Sequence, residues 1–301
     1  MTTRRQFLQA GFFTAAAATL PGTMLFSQTA EKKGAITIAV QTWTLRQLPA
    51  ENNRPITFEE AIKITRAAGI DEVEIAGGNT WWNGERKRSV DLNADEKKRL
   101  RAVLEENNVR AISLGGSPGR SIDFDFAKEF GLQFLQGEPE HKDLVEVSKR
   151  AAEYGIRYSL HNHAFDSRHW DYRETLKRVQ DCDPALGICP DTGHFIRSGF
   201  DPLEVVKACK GRMVSIHLKD LNGVVHLKDV EDMAPAERKK LQGVPKDVAW
   251  GTGEGQVEAV LKELMAQGFV GPVVLEYDHI YPDGNVADVK KCAEFFKKVV
   301  G

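Results

Sequence analysis

The sequence lacks paired cysteines, a long run of basic residues and, after residue 30, any apolar stretch long enough to cross a membrane. The four cysteines of this 301-residue chain stand singly, so neither a zinc knuckle nor a disulfide framework is expected, and buried thiols are the prediction. The formal net charge is −2, and no block of Lys and Arg could follow a phosphate backbone. Nucleic acid is therefore not expected as a partner.

Phosphate-binding signatures are also missing. No G-x-G-x-x-G motif follows the first predicted strand, where a doubly wound dinucleotide-binding sheet would place its phosphate turn. No glycine-rich loop or cluster of arginines that could hold a sugar phosphate is visible either. The first absence argues against a doubly wound open sheet, and the second argues against a phosphorylated substrate.

The first thirty residues differ in kind from the rest. Arg4 and Arg5 precede an apolar, alanine-rich run from Ala10 to Leu20, and Pro21 and Gly22 follow it. This pattern resembles a twin-arginine export signal. The alternative interpretation is an ordinary helix or a membrane anchor. Because the run is too short to span a bilayer, we expect residues 1–30 to be a signal segment. The mature protein is then expected in the periplasm or cell envelope, without a membrane span.

Strand and helix patterns alternate over residues 31–301. Capping boxes at Thr57/Glu60 and Asn93/Glu96 predict the starts of two helices. The eight predicted strands are 35–43, 72–76, 110–114, 132–136, 157–163, 186–189, 213–218 and 273–277. The eight predicted helices are 57–68, 93–107, 124–130, 142–154, 173–180, 202–209, 256–267 and 286–299. This alternation predicts an α/β fold, a single (β/α)8 TIM barrel in one domain.

Residues with nitrogen or oxygen donors end several of these strands, at the barrel face where active sites are built. His161 and His163 are two residues apart on one strand, so both rings leave the same face, which suits either metal ligands or core histidines bonded to backbone. Lys219 follows the seventh strand and is expected near the rim, as a catalytic or a solvated lysine. The strand-end donors are Glu74, His161, His163, Asp191, His217 and Glu276.

Five motifs then support a resemblance. They are Leu160-His161-Asn162-His163, Pro190-Asp191-Thr192-Gly193-His194, Ile216-His217-Leu218-Lys219-Asp220, Gly253-Glu254-Gly255 and Leu275-Glu276. From Ile36 to its C-terminus the chain resembles the xylose isomerase-like sugar phosphate isomerase/epimerase family. The resemblance implies a (β/α)8 barrel that binds one divalent metal through His161, Asp191, His217 and Glu276. It also implies that His194 contacts substrate hydroxyls.

The sequence departs from the family pattern at His161, where epimerases of the family typically carry Glu. This departure weakens the case for two opposed carboxylates that epimerise one carbon. A mixed set of imidazoles and carboxylates favours manganese, cobalt, zinc or iron over magnesium or calcium. His163 remains the competing ligand on the fifth strand.

The first functional hypothesis is a metal-dependent isomerase or epimerase that acts on a small carbohydrate through an enediolate. Its predicted catalytic residues are Glu276, His163 and Lys219, and its predicted substrate contacts are His194, Glu74 and Trp81. The alternative is a metal-dependent lyase or hydratase that acts on a 3-keto-sugar or keto-glycoside. A third possibility is a non-catalytic sugar-binding barrel, and a homo-oligomer is compatible with each.

Two further expectations concern loops. The connection from Asp220 to Gly255 is the one long link between predicted elements, and it is expected to cover the barrel mouth and select substrate. Trp81 and Trp82 follow the second strand, where they would either stack on a sugar ring or pack against that loop.

Overall fold

A computed structural model describes residues 35–301, apart from Asp166 and Gln242. The predicted signal segment, residues 1–30, lies outside the described residues. Within the described part of the chain, no helix combines the length and the apolar character needed to cross a membrane.

Eight parallel strands form the central sheet, and we number them β1 to β8. They pair in chain order from β1 to β6, while β8 lies between β1 and β7. Two bridges, Ile188 with Met213 and Asp191 with His217, connect β6 to β7 and complete the ring. The barrel predicted from the sequence is therefore confirmed. The strands are Ile36–Gln41, Glu72–Ile75, Arg110–Leu114, Phe134–Gly137, Arg157–His161, Leu186–Cys189, Ile216–Leu218 and Gly271–Leu275.

Helices of the described residues follow the strands, and we number them α1 to α11. Both predicted capping boxes are present, because Thr57 and Asn93 each exchange hydrogen bonds with the glutamate three residues later. The short helix α6 begins directly after β6 and was not predicted. The helices are Phe58–Ala67, Ala94–Glu106, Ser121–Phe130, Leu144–Tyr154, Tyr172–Arg178, Thr192–Arg197, Pro202–Ala208, Leu227–Val230, Pro235–Arg238, Val257–Ala266 and Val286–Val300.

Two apolar layers stabilise the barrel. The larger core lies between strands and helices, and on α4 it buries one face that contains Leu144, Val147 and Ala151. A separate buried cluster fills the barrel interior, with side chains from around the ring: Ala39, Ile112, Phe134, Val214 and Val274. All four cysteines are buried, as predicted.

Short hairpins were not predicted, because strands of two or three residues carry too little alternation to be recognised. Gly78–Thr80 pairs with Arg86–Arg88 after β2, and Gln47–Leu48 pairs with Arg54–Pro55 after β1. A third pair joins the two ends of the long connection, Asp220–Leu221 with Asp247–Val248.

The long connection is tied down at both ends. Asp220 accepts hydrogen bonds from the N–H groups of Gly251, Gly253 and Gly255 at 2.8 to 3.0 Å. Trp250 is buried, and its Nε1 donates to the Leu218 carbonyl at 3.2 Å. These contacts make the ends of the connection part of the core.

Candidate metal centre and substrate cleft

The structure brings together His161, Asp191, His217 and Glu276. One ligand atom from each lies within 4.8 Å of the other three, and all four side chains are buried. His161 Nε2 is 3.3 Å from Asp191 Oδ2, and His217 Nδ1 is 2.7 Å from Glu276 Oε2. Two imidazole nitrogens and two carboxylate oxygens are a donor set that fits manganese, iron, cobalt or zinc. The cluster could hold a metal ion, and the assignment of its members as ligands stays a prediction.

Local structure fixes the direction of each donor. Asp191 caps helix α6, and its Oδ1 accepts from the His194 N–H at 2.9 Å while Oδ2 faces the cluster. His161 ends β5, His217 lies within β7, and Glu276 follows β8. Parallel strands of a closed barrel end at one face, so consecutive strands deliver these side chains to one point.

Glu74, predicted to contact substrate, instead lies fully buried behind His217. Its Oε1 is 2.9 Å from His217 Nε2, and it also accepts hydrogen bonds from Gln41 and Ser113 at 2.7 Å each. The structure does not support this prediction, because the side chain points into the barrel, where the Ser113 hydroxyl and the His217 imidazole bind it. Glu74 therefore orients the His217 ring so that Nδ1 faces Glu276.

Lys219 was expected near the rim and is fully buried instead. Its Nζ lies 2.9 Å from Asp191 Oδ2, 3.1 Å from Glu276 Oε2 and 2.9 Å from Asp278 Oδ2. Burial opposes the charged form of Glu276, but Lys219 and then His217 outweigh it and lower the pKa of Glu276 to about 2. This carboxylate is therefore ionised at neutral pH and able to bind a cation.

A cleft of about 540 Å³ opens beside the cluster. Glu276 and His161 form part of its wall, and the remainder comes mainly from residues that follow β1 to β5. Its volume suits a small organic ligand. No described residue of the long connection from Asp220 to Gly255 lines it, so the structure does not support that connection as a lid over the cleft. The lining residues are Gln41, Trp43, Ala76, Gly77, Gly78, Arg86, Gly115, Gly116, Ser117, Pro118, Gln136, Gly137, Glu138, His161, His163, Glu276 and Asp278.

His163 faces this cleft and is paired with Glu138, a residue that the sequence did not single out. His163 Nδ1 is 2.8 Å from Glu138 Oε2, and 57% of the His163 side chain is exposed. Burial opposes the Glu138 carboxylate, but the hydrogen bond and charge of His163 lower the pKa of Glu138 to about 2. Burial also opposes the His163 imidazolium, and the bond to Glu138 outweighs it, so the pKa of His163 is raised.

His194 lies next to His163, with 4.9 Å between their ring centroids, and only 11% of its side chain is exposed. Its Nε2 is 3.9 Å from Asp191 Oδ2 and 3.8 Å from Asp278 Oδ2. Burial lowers the pKa of His194 to about 3, so the ring is neutral at physiological pH. A substrate contact by His194 stays a prediction.

The structure does not support the predicted substrate contact of Trp81. Trp81 is fully buried, its ring centroid is 5.1 Å from that of Phe58, and its Nε1 donates to the Lys87 carbonyl at 3.1 Å. The side chain packs into the core under the hairpin because Phe58 and Trp82 enclose it. The tryptophan that does line the cleft is Trp43, which follows β1 and which no sequence motif indicated.

Curated relatives are similar over part of their length. The chain is 24% identical over 225 residues to the rhizopine catabolism protein MocC of Rhizobium meliloti, covering 72% of this chain and 66% of that protein. It is 28% identical over 155 residues to the inosose dehydratase of Clostridium perfringens strain 13, covering 49% of this chain and 50% of that protein. The chain thus spans between about half and two-thirds of the length of these relatives.

Solved structures share the fold. A xylose isomerase-like TIM barrel protein from Mycobacterium smegmatis in complex with magnesium has a TM-score of 0.65 and 14% identity, covering 88% of this chain and 96% of that one. The IolI protein with a bound zinc atom has a TM-score of 0.62 and 14% identity, covering 88% of this chain and 98% of that one. The model of one family, described as xylose isomerase-like TIM barrel, matches residues 141–299, just over half of this chain. This chain belongs to the xylose isomerase-like TIM barrel family.

Proposed function

We propose that this protein is a divalent-metal-dependent lyase or hydratase that acts on a keto-sugar. The isomerase or epimerase favoured first by the motifs becomes the second candidate. The observation that carries the proposal is the exposed imidazole of His163, held by Glu138 beside the buried cluster. An elimination needs one group that can accept and return a proton, whereas the family's epimerases use two opposed carboxylates. The inosose dehydratase relatives support the same reaction class.

The four clustered side chains would hold the metal, with His161 and His217 supplying nitrogen and Asp191 and Glu276 supplying oxygen. A bound divalent cation supplies Lewis-acid stabilisation of negative charge on a substrate carbonyl oxygen. Lys219 adds a fixed positive charge beside the two carboxylates. Glu74 keeps the His217 ring in one orientation.

His163 performs the proton transfers in this proposal. Its second ring nitrogen, Nε2, accepts the proton from the carbon next to the substrate carbonyl, and the C–H electron pair moves into the new C=C bond. The C–O bond to the β-hydroxyl then breaks, and the imidazolium returns the proton to the departing oxygen. The products are one water and an unsaturated ketone, and hydration is the reverse. Glu138 stabilises the imidazolium between the two transfers.

The test is to incubate manganese-loaded protein with inosose in heavy water and follow the mass of the sugar. We expect a product lighter by one water, with deuterium exchanged at the α-carbon of remaining substrate. Deuterium in a product of unchanged skeleton would instead establish the isomerase. Absence of both exchange and elimination, for inosose and for a 3-keto-glycoside, would contradict the proposed function.

A pair of histidine variants separates the proton-transfer role from general effects. His163→Gln should abolish exchange and elimination, since glutamine cannot accept the proton. His141→Gln is the matched control, because His141 lies outside the cleft lining and bonds to the Arg168 carbonyl. Full activity in His163→Gln would reject the assignment of the base.

We also propose that residues 1–30 direct export, which rests on Arg4, Arg5 and the apolar run after them. Replacing both arginines by lysine should leave the precursor in the cytoplasm. Cell fractionation measures this, and a double variant that reaches the envelope at the normal level would contradict the proposal.

A further inference from the structure

The geometry points to a subsite for a carboxylate on the substrate, formed by Arg86 and Trp43 in the cleft wall. The inference rests on the proposed function and narrows its substrate class to acidic sugars, such as uronates and their keto derivatives. Arg86 belongs to the hairpin after β2, Trp43 follows β1, and both line the cleft.

Charge pairing distinguishes Arg86 from its neighbours. Lys87 pairs with Glu96, and the Arg88 guanidinium binds Asp91 through two hydrogen bonds of 2.8 and 2.7 Å. Within the described part of the chain, no carboxylate lies within ion-pair distance of Arg86, whose guanidinium instead faces the Trp43 ring. Three basic residues thus stand in a row, and the one that reaches the cleft is left without an anion.

Trp43 gives this cation a fixed apolar neighbour. The Arg86 Cζ lies 5.2 Å from the Trp43 ring centroid, and the Arg46 Cζ lies 4.3 Å from it. Arg46 is anchored, because it donates to the carbonyls of Trp43, Tyr277 and Asp278. The indole is therefore held in place by one arginine, and the other remains available to a ligand that lies along the ring.

The rest of the cleft favours a carboxylate over a phosphate. The N–H of Gly115 donates to the Ile75 carbonyl, and those of Gly116 and Ser117 donate to Gln136. These backbone donors are used, so they form no anion nest beside the arginine. One guanidinium can bind a single carboxylate through two parallel hydrogen bonds. A phosphate dianion would keep one negative charge that this guanidinium does not neutralise.

Acidic residues elsewhere in the cleft wall would set the orientation of an anionic substrate. The carboxylates of Glu138, Glu276 and Asp278 lie on the wall near the metal cluster. They would repel a second anion there, so the substrate's own carboxylate is directed toward Arg86 while its carbonyl faces the cluster.

Calorimetric titration of the manganese-loaded protein with glucuronate, glucose and glucose 6-phosphate tests the subsite. We expect glucuronate to bind about tenfold more tightly than glucose, since a hydrogen-bonded ion pair in a cleft is worth about that factor. Arg86→Gln should remove this difference. Arg88→Gln is the matched control, because it removes a guanidinium of the same hairpin that faces Asp91, and it should keep the difference.

Equal binding of glucuronate and glucose would overturn the subsite, as would the absence of binding by all three sugars. A preference for glucuronate that survives in Arg86→Gln would also overturn it, because the metal or another group would then be the anion's partner. Tighter binding of glucose 6-phosphate than of glucuronate would reject the carboxylate class. The proposed function is judged separately, by elimination from neutral inosose with wild-type protein, so each idea can fail without the other.

Discussion

The two halves of the barrel mouth differ in the residues at their strand ends. The strands β5 to β8 end in the buried, interlocked side chains of His161, Asp191, His217 and Glu276. The strands β2 to β4 end in backbone with almost no side chain, through Gly77-Gly78, Gly115-Gly116 and Gly137. One half thus concentrates buried charged groups, and the other half leaves the space of the cleft.

Close packing also favours a small residue at Gly115 in the glycine half. A Cβ at Gly115 would lie 3.0 Å from Glu74 Oε1 and 3.1 Å from Gln41 Nε2. Glu74 is also the group that orients His217. The small residues of one half therefore permit the carboxylate that supports the other half.

The largest expected effect comes from breaking the charged half. Asp191→Asn keeps an oxygen that can cap helix α6 but removes the anionic donor, so metal content should fall and activity should fall by more than about 100-fold. Elemental analysis and turnover of a keto-sugar measure the two losses. Asp201→Asn, which alters the exposed cap of α7, is the control and should change neither. An Asp191→Asn protein with full metal and full turnover would reject the site.

A smaller effect is expected when the support of His217 is removed. Glu74→Gln should lower metal affinity or activity by about 10- to 100-fold, because the amide holds the His217 ring less firmly than the carboxylate. Glu72→Gln is the matched control on the same strand, since Glu72 binds Thr37 and Arg110 away from the cluster. Equal effects of the two substitutions, measured by competitive metal titration, would show that Glu74 has no specific role.

Substitution of two tryptophans distinguishes a residue of the cleft wall from a residue of the core. Trp81→Ala should lower the free energy of unfolding by about 3–5 kcal/mol, because it leaves a cavity beside Phe58. Trp43→Ala should cost about 1 kcal/mol or less, mainly the contacts with Arg46 and Arg86, while it raises KM. Urea unfolding and steady-state kinetics distinguish the two. If Trp43→Ala instead caused the larger loss of stability and Trp81→Ala the larger rise in KM, Trp81 would be the tryptophan that faces the sugar.

The smallest effect concerns the His163–Glu138 pair in metal-free protein. Glu138 has its pKa lowered to about 2 from 4.5, so its stabilisation is present above pH 4.5 and is lost as the pH falls through 2. The raised pKa of His163 gives stabilisation that is present below 6.5 and is lost as the pH rises through the raised value. Both contributions coexist between about pH 4.5 and 6.5. Because His163 is half exposed, the pair is worth less than about 1 kcal/mol.

Glu138→Gln should therefore lower the Tm most between those pH values, and the difference should shrink at alkaline pH. Glu140→Gln is the matched control, since Glu140 pairs with Arg168, which stays charged. Its effect should persist at alkaline pH. A Glu138→Gln difference that is constant with pH would contradict the pairing.

The barrel and the clustering of the four donors were predictable, because both depend on chain order. Alternating periods predict strands and helices, and a closed parallel barrel brings the ends of consecutive strands to one face. His161, Asp191, His217 and Glu276 each lie at or within three residues of such an end. Their convergence required no knowledge of side-chain rotamers.

The sequence did not predict the positions of residues whose role depends on the direction of the side chain. Glu74 and Lys219 stand at strand ends like the cluster residues, yet one points into the barrel and the other into a group of carboxylates. Glu138 follows β4 directly and would have been found by applying the strand-end rule to every strand. Trp43 and Arg86 lie in a short helical turn and a short hairpin, where no periodicity shows which side chain faces the cleft.

The burial of Lys219 has a consequence for the order in which the protein is assembled. Asp191, Glu276 and Asp278 surround its Nζ at 2.9 to 3.1 Å. Three carboxylates gathered at the barrel mouth would repel one another, and the Lys219 ammonium would supply the counter-charge during folding. Folding would then not have to wait for an ion, unlike small zinc modules that fold only around their metal. A divalent ion could enter the folded barrel, and its affinity would reflect competition with Lys219.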